Sequence, residues 1–189
     1  MGLFGGLRSQ KSVKHNGKRV SEIVEANRLD HLGEPGGQRA DLSGAQLSRV
    51  DFGGADLTDA NLKGAKLDGA NFRKAKLSRA DFSGANLRGA DLRSTDMTEC
   101  VLPGADLTEA QVAGVELFRC DLTNAIFHKA NLRNTNFRAS NIQGAQFAGA
   151  DMGVTILRET DLTGVDLSGV DLSTTLMPKK PGPPDPANK

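Results

Sequence analysis

From Ala40 to Met177 the chain repeats every five residues, and the phase never slips. Written in fives it reads ADLSG, AQLSR, VDFGG, ADLTD, ANLKG, AKLDG, ANFRK and onward. The third position of each unit (42, 47, 52 and so on to 177) holds 17 Leu, 6 Phe, 3 Met, Val112 and Ile142, so all 28 are apolar. The first position holds 16 Ala, 5 Thr, 4 Val, Cys100, Cys120 and Ser140, all small or β-branched. The second is mostly Asp, Asn, Gln or Lys, and the fifth is Gly in 12 of 27 units.

A helix needs a period near 3.6, which five does not supply. Two inward positions flanking one outward position are strand alternation, and the two remaining residues turn the chain. A three-residue strand cannot bury its face alone, so each unit must stack on another, as in a solenoid. The interior must be narrow, with a small and a large residue sharing it, because large residues at both positions would overpack it. The pairs Phe52/Phe72, Phe127/Phe147 and Cys100/Cys120 lie 20 residues apart, which suggests a 20-residue coil.

The runs ADLSG, ANLRG and ADLTE resemble the pentapeptide-repeat proteins, whose units read A-(D/N)-(L/F)-x-x, and the resemblance covers residues 40–177. It implies an all-β fold, a right-handed quadrilateral β-helix with four pentapeptides per coil. On that basis the repeat makes about seven coils and a rod roughly 33 Å long at the usual inter-strand spacing.

The flanking segments read differently. Residues 1–19 carry Arg8, Lys11, Lys14, Lys18 and Arg19 without an acid, and are expected to be a disordered basic arm. Within 20–39, residues 21–32 read as a short helix with Ser21 at its N-cap. Its face of Val20, Ile23, Val24 and Asn27 is expected to cap the first coil, because an open coil presents unpaired backbone groups. Residues 178–189 form a Pro-rich tail that suits neither strand nor helix.

Composition narrows the function. Lys+Arg is 24 and Asp+Glu is 23, a net charge of +1, so direct electrostatic capture of nucleic acid by the whole chain is not expected. No run approaches 18 apolar residues, and the first residues lack an apolar signal region, so a cytoplasmic location is expected. Position 6 is Gly6, which does not fit a myristoylation signal. A filled rod offers no concave site for convergent polar groups, so no catalysis, cofactor or metal is expected. The two thiols are expected to be buried, reduced and stacked on adjacent coils.

A non-catalytic scaffold that binds a protein partner through a flat solenoid face is the leading expectation. Apolar residues at outward positions stand out: Val101, Phe118, Ile126, Ile156 and Leu176. With four units per coil, Phe118, Ile156 and Leu176 share one side, Val101 lies near its corner, and Arg119, Arg138 and Arg158 rim it. Such a patch has the make-up of an interface centre, for an unknown protein or a second copy of this chain. A basic band on the second coil (Lys63, Lys66, Arg73, Lys74, Lys76 and Arg79) is the next candidate.

Two alternatives come with the family and the arm. Some family members, the quinolone-resistance proteins, bind DNA gyrase with acidic faces in place of DNA. Here residues 60–79 carry +5 between neighbours of −3 and −2, which breaks the uninterrupted negative charge of a duplex. In the column Asp41, Asn61, Asp81, Val101, Asp121, Asn141, Asp161, alternating Asn relieves repulsion, which is a stability explanation. The other alternative is membrane-surface attachment through residues 1–19, with Leu3, Phe4 and Leu7 inserting, although Gly2, Gly5 and Gly6 weaken any helix there.

Overall fold

The computed structural model describes residues 13–33 and 37–177. The repeat is a parallel β-solenoid with a step of twenty residues. Asp41 bridges Asn61, Asn61 bridges Asp81, and parallel bridges start at 41, 46, 51 and 56, so each coil has four sides. The ladder is directional. Leu42 N–H donates to Asn61 O and Gly44 N–H to Lys63 O, while Asn61 N–H returns to Ala40 O. Each side of a coil therefore offers two N–H donors and one carbonyl toward the C-terminal end. It offers two carbonyls and one N–H toward the N-terminal end.

The pentapeptide explains this geometry residue by residue. First and third positions fill the interior, from Ala40 and Leu42 to Leu157, nearly all without solvent contact. Phe52 stacks on Phe72 at 4.9 Å and Phe127 on Phe147 at 5.3 Å. Phe82 and Phe137 meet these stacks edge-on. Second-position Asp and Asn close the turn: the Ser43, Lys63, Ser83 and Thr123 amides donate to the side-chain oxygens of Asp41, Asn61, Asp81 and Asp121. Between coils, the Asn61 amide donates to Asp41 and that of Asn71 to Asp51. The fifth position turns with φ near +60°, as at Gly44 (63°), and non-glycine residues adopt it as well, among them Arg49 (59°) and Val154 (59°). This is why Gly recurs there.

Inward polar side chains are satisfied without water. Cys100 Sγ reaches Leu77 O, Cys120 Sγ reaches Met97 O, Thr135 Oγ1 reaches Val112 O and Thr160 Oγ1 reaches Phe137 O. In each case the acceptor lies 23 residues earlier, so the same geometry serves thiol and hydroxyl alike.

The N-terminal segment differs from the sequence reading. Part of the expected disordered arm is a hairpin: β1 (Lys14–His15) pairs antiparallel with β2 (Lys18–Arg19) across Asn16-Gly17. Both turn residues have positive φ, 48° and 77°, as a type I′ turn requires. Helix α1 (Val20–His31) follows at once. Its N-cap is Arg19 rather than Ser21, and the Arg19 N–H donates to the Glu22 carboxylate at 3.1 Å. Residues 1–12 of the arm and the Pro-rich tail 178–189 lie outside the described residues.

Val20, Val24 and Asn27 of α1 are buried against the start of the rod. Asn27 is fully enclosed: its side-chain N–H donates to Asp56 O (3.1 Å) and Thr58 O (3.0 Å), and its oxygen accepts from Ala40 N–H at 2.7 Å. Elsewhere the preceding coil supplies both of those carbonyl bonds, as Leu57 and Asp59 do to Lys76 and Ser78. One carboxamide thus replaces a backbone segment of a missing coil. His31 adds a second tie, with Nδ1 on Asn27 O at 2.9 Å and Nε2 on Asp59 at 3.0 Å.

Candidate functional site

The fourth side carries the column Asp56, Lys76, Asp96, Glu116, Asn136, Ile156, Leu176. Five polar residues give way to two apolar ones in bridge contact at the C-terminal end. Ile156 is half-buried and Leu176 is 41% exposed. Val154, at the turn entering this side, is 45% exposed and adds an apolar residue that the outward second and fourth positions do not reveal. Its fifth position reads as a turn, but a β-branched residue in the left-handed region is strained, which marks it out.

Phe118 sits on the corner after this side, but it is not the open anchor that the sequence suggests. The ring is half-buried, with the Arg119 guanidinium 4.9 Å and that of Arg138 6.0 Å from its centroid. Arg138 in turn holds Glu159 through two bonds of 3.0 and 2.7 Å, which lowers the Glu159 pKa and raises that of the guanidinium. Arg158 is exposed on the same corner column, one coil beyond Arg138. Val101 is half-buried on the first side, bridged to Asp81 and Asp121. Ile126 lies on the second side, between Asp106 and Gln146, and does not join the others.

The basic band is largely neutralised by the coils beside it. Lys63 pairs with Asp81 (3.1 Å), Arg73 with Asp91 (3.7 Å), Lys76 with Asp56 (3.5 Å) and Arg79 with Asp59 (2.7 Å). Among the described residues, Lys66 and Lys74 make no ion pair. Arg79 and His31 both hold the Asp59 carboxylate, with Arg79 the larger influence, and its pKa falls to about 2. The same carboxylate raises the pKa of His31.

Neither cysteine is activated. Burial raises the Cys100 thiol well above its ordinary value and pushes Cys120 up to about 12. Both are free and buried. Among the described residues no group of three or more His, Cys, Asp or Glu is placed to hold a metal ion, and no helix is long and apolar enough to cross a membrane. A cleft of about 230 Å³ lies between the hairpin, α1 and the first coil, lined by His15, Lys18, Glu22, Arg39 and Asp41. The His15 Nε2 atom is buried there without a partner. The cleft's cations and anions offset one another, so it selects no ligand charge.

Two family models match the repeat. One, described as pentapeptide repeats, matches residues 38–73 and 154–177 in 8 copies, and one described as a pentapeptide repeat region matches 74–147. Among solved structures, the chain is similar to HetL, a pentapeptide repeat protein involved in heterocyst differentiation regulation from the cyanobacterium Nostoc sp. strain PCC 7120. The two are 24% identical with a TM-score of 0.50, over 80% of this chain and 95% of that one. It is also similar to QnrB1, a plasmid-mediated fluoroquinolone resistance protein, at 26% identity and a TM-score of 0.35, over 74% of this chain and 78% of that one. A pentapeptide repeat protein of the Arabidopsis thaliana thylakoid lumen shares 27% identity at a TM-score of 0.37, over 57% of this chain and 68% of that one. The HetL likeness speaks to the fold alone, and no curated protein matches the chain. With both models on the repeat and its twenty-residue ladder in place, the chain belongs to the pentapeptide-repeat proteins.

Proposed function

We propose that the protein is a non-catalytic scaffold that binds a protein partner through the C-terminal part of its fourth side. In this reading the rod is right-handed, has seven coils, is closed at its N-terminal end by α1, and works in the cytoplasm, where its buried thiols stay reduced. One observation carries the proposal: Ile156 and Leu176 stack in one column, beside exposed Val154, where every other second position of that column is polar. Each also forgoes the turn-closing bond that Asp or Asn makes at this position. Exposed apolar side chains beside Arg138, Arg158 and Glu159 make an apolar centre with a charged rim. Val101 and Phe118 border it at the corner.

The charge pattern speaks against DNA mimicry. Acidic columns are interrupted by Asn and Lys, and cross-coil pairs such as Asp56–Lys76 and Asp59–Arg79 cancel charge along the rod.

The test compares two double variants in affinity capture from extract. Ile156→Ser with Leu176→Ser should abolish capture of the partner while the thermal melt keeps its shape. Lys66→Glu with Lys74→Glu should leave capture intact. The opposite pattern moves the site to the basic band. Loss of a concentration-dependent dimer in the first variant identifies the partner as a second copy. Inhibition of gyrase supercoiling by the intact protein would favour mimicry instead.

A further inference from the structure

The fourth side changes character along the rod. Over 56–59, 76–79 and 96–99 it carries Asp56, Asp59, Asp96 and Glu99 against Lys76 and Arg79, and both cations are paired with the aspartates one coil before them. Over 116–119, 136–139 and 156–159 the balance reverses, with Arg119, Arg138 and Arg158 against Glu116 and Glu159. In the same stretch the second position turns apolar, at Ile156 and then Leu176. The large exposed apolar residues among those described are Leu32, Val154, Leu176 and Met177, and three of them lie at this end.

The arginines here hold charge in reserve. Beyond residue 80 the repeat contains seven cations, of which Arg88, Arg93, Arg133 and Arg138 each hold a carboxylate. Lys129 lies on another side. Arg119 and Arg158 flank the apolar column, both are exposed, and neither makes an ion pair among the described residues. Arg119 lies over the Phe118 ring, 4.9 Å from its centroid. Stacking fixes the plane of a guanidinium and leaves its N–H edge free for a carboxylate. Arg138 already shows the arrangement, beside the same ring and with two bonds to Glu159.

The basic corner and the apolar column both run along the rod, side by side. A ligand that matches them must carry an acidic stripe next to an apolar one. An extended strand laid along the rod turns a single row of side chains to the face, at intervals of ~6.7 Å. An α-helix turns neighbouring rows to it, and three helical residues rise ~4.5 Å, close to the ~4.8 Å step between coils. A side three residues wide is ~10 Å across, the width of one helix. We propose, on the reading that this face binds a protein partner, that the partner segment is an acidic amphipathic helix. It lies along the C-terminal part of the fourth side, with aliphatic side chains on Val154, Ile156 and Leu176 and carboxylates on Arg119 and Arg158.

A second copy of this chain matches the face less well. Antiparallel rods packed patch on patch set arginine corner against arginine corner. Parallel rods set that corner against Val154 and Thr174, which carry no charge. Sliding antiparallel rods until the arginines meet the acidic stretch puts Ile156 and Leu176 against Asp56 and Lys76. An anionic bilayer would lie under the whole side, the acidic stretch included, whereas a helix covers only the basic and apolar part.

Titration of the full chain with synthetic peptides, followed by NMR amide shifts, tests the assignment. The probes are a peptide of about 18 residues with Leu and Glu in adjacent helical stripes, the same peptide with Lys for Glu, and the Glu peptide in scrambled order. The Glu peptide should shift the Ile156, Arg158 and Leu176 amides and bind roughly tenfold or more tightly than either control. Arg119→Gln with Arg158→Gln should weaken it roughly tenfold and flatten its salt dependence, with the thermal melt unchanged. Equal binding of the Lys peptide would overturn the acidic partner, and equal binding of the scrambled peptide would overturn the helix. No shift at Ile156 and Leu176 with any peptide at millimolar concentration would overturn both, as would shifts there with phosphatidylserine vesicles alone. So would an oligomeric mass that rises with concentration and falls in Ile156→Ser with Leu176→Ser, which would make the occupant a second copy. Where the peptides fail but that double variant still abolishes capture from extract, the face remains the partner surface and the helix alone is withdrawn.

Discussion

Asn27→Ala is the sharpest perturbation the structure offers. The carboxamide makes three hydrogen bonds, and the Ala40 N–H it receives is buried. Truncation leaves that N–H without an acceptor, at about 1–3 kcal/mol. The Asp56 and Thr58 carbonyls lose their donors as well, but their residues are half-buried and water replaces part of the loss. The total is about 2–4 kcal/mol. In a solenoid each coil touches only its neighbours, so the loss appears as opening of the first coil rather than of the rod. At 1.4 kcal/mol per decade, the Leu57 and Asp59 amides should exchange about 30- to 800-fold faster, while that of Leu132 stays unchanged. Asn27→Asp should be worse, since it buries a charge facing two carbonyls. Unchanged exchange at Leu57 would refute the capping role of Asn27. Equal acceleration at Leu132 would show that the rod opens as one unit.

Three further outcomes follow from single residues. Leu107 is fully buried mid-rod, so Leu107→Ala should cost about 2–5 kcal/mol in denaturant unfolding, and Leu107→Asp more. Val154→Gly removes a β-branched side chain from φ 59° at an exposed turn and should raise stability by about 1 kcal/mol, read as a higher melting temperature. The His31–Asp59 tie should be pH-dependent. His31's raised pKa gives stability that is complete below its unfolded value of 6.5 and is lost as pH rises through the folded value. Asp59's pKa, held down at about 2, gives stability that is complete above 3.8 and is lost as pH falls toward 2. The melting difference between parent and His31→Gln should therefore be larger at pH 5.5 than at pH 8.5, and an unchanging difference would remove the charged pair.

The pentapeptide announces the rod because its period is a covalent property of the chain: the in-out-in spacing, the small–large pairing and the Phe pairs twenty residues apart all survive into the structure. The apolar face of α1 is legible for the same reason. The hairpin at 14–19 carries an Asn-Gly turn, but its flanks are charged rather than alternating, so the turn alone does not reveal it. Asn27 looks like a polar residue on an apolar face, and its role depends on carbonyls 29 and 31 residues away. The basic band looks free in sequence because its partners lie one coil up or down. Phe118 looks exposed because the guanidinium that caps it from Arg138 is twenty residues away. The twenty-residue step puts these side chains in neighbouring columns, but which of them meet depends on their rotamers, as offsets of 18 for Lys63–Asp81 and 20 for Arg79–Asp59 show, and Val154 stands out only once the turn's φ is known.

The central claim is that one twenty-residue step orders the whole rod in register. Spin labels at Ser48→Cys and Ser168→Cys test it by electron–electron distance measurement, with the buried native thiols left unlabelled. Both positions are exposed turn residues of the second side, whose bridges run unbroken from Gln46 to Asp166. Six steps predict ~29 Å at the inter-strand spacing. A distance near ~38 Å, the eight steps of a fifteen-residue coil, would contradict the account, as would a distribution too broad to hold one register.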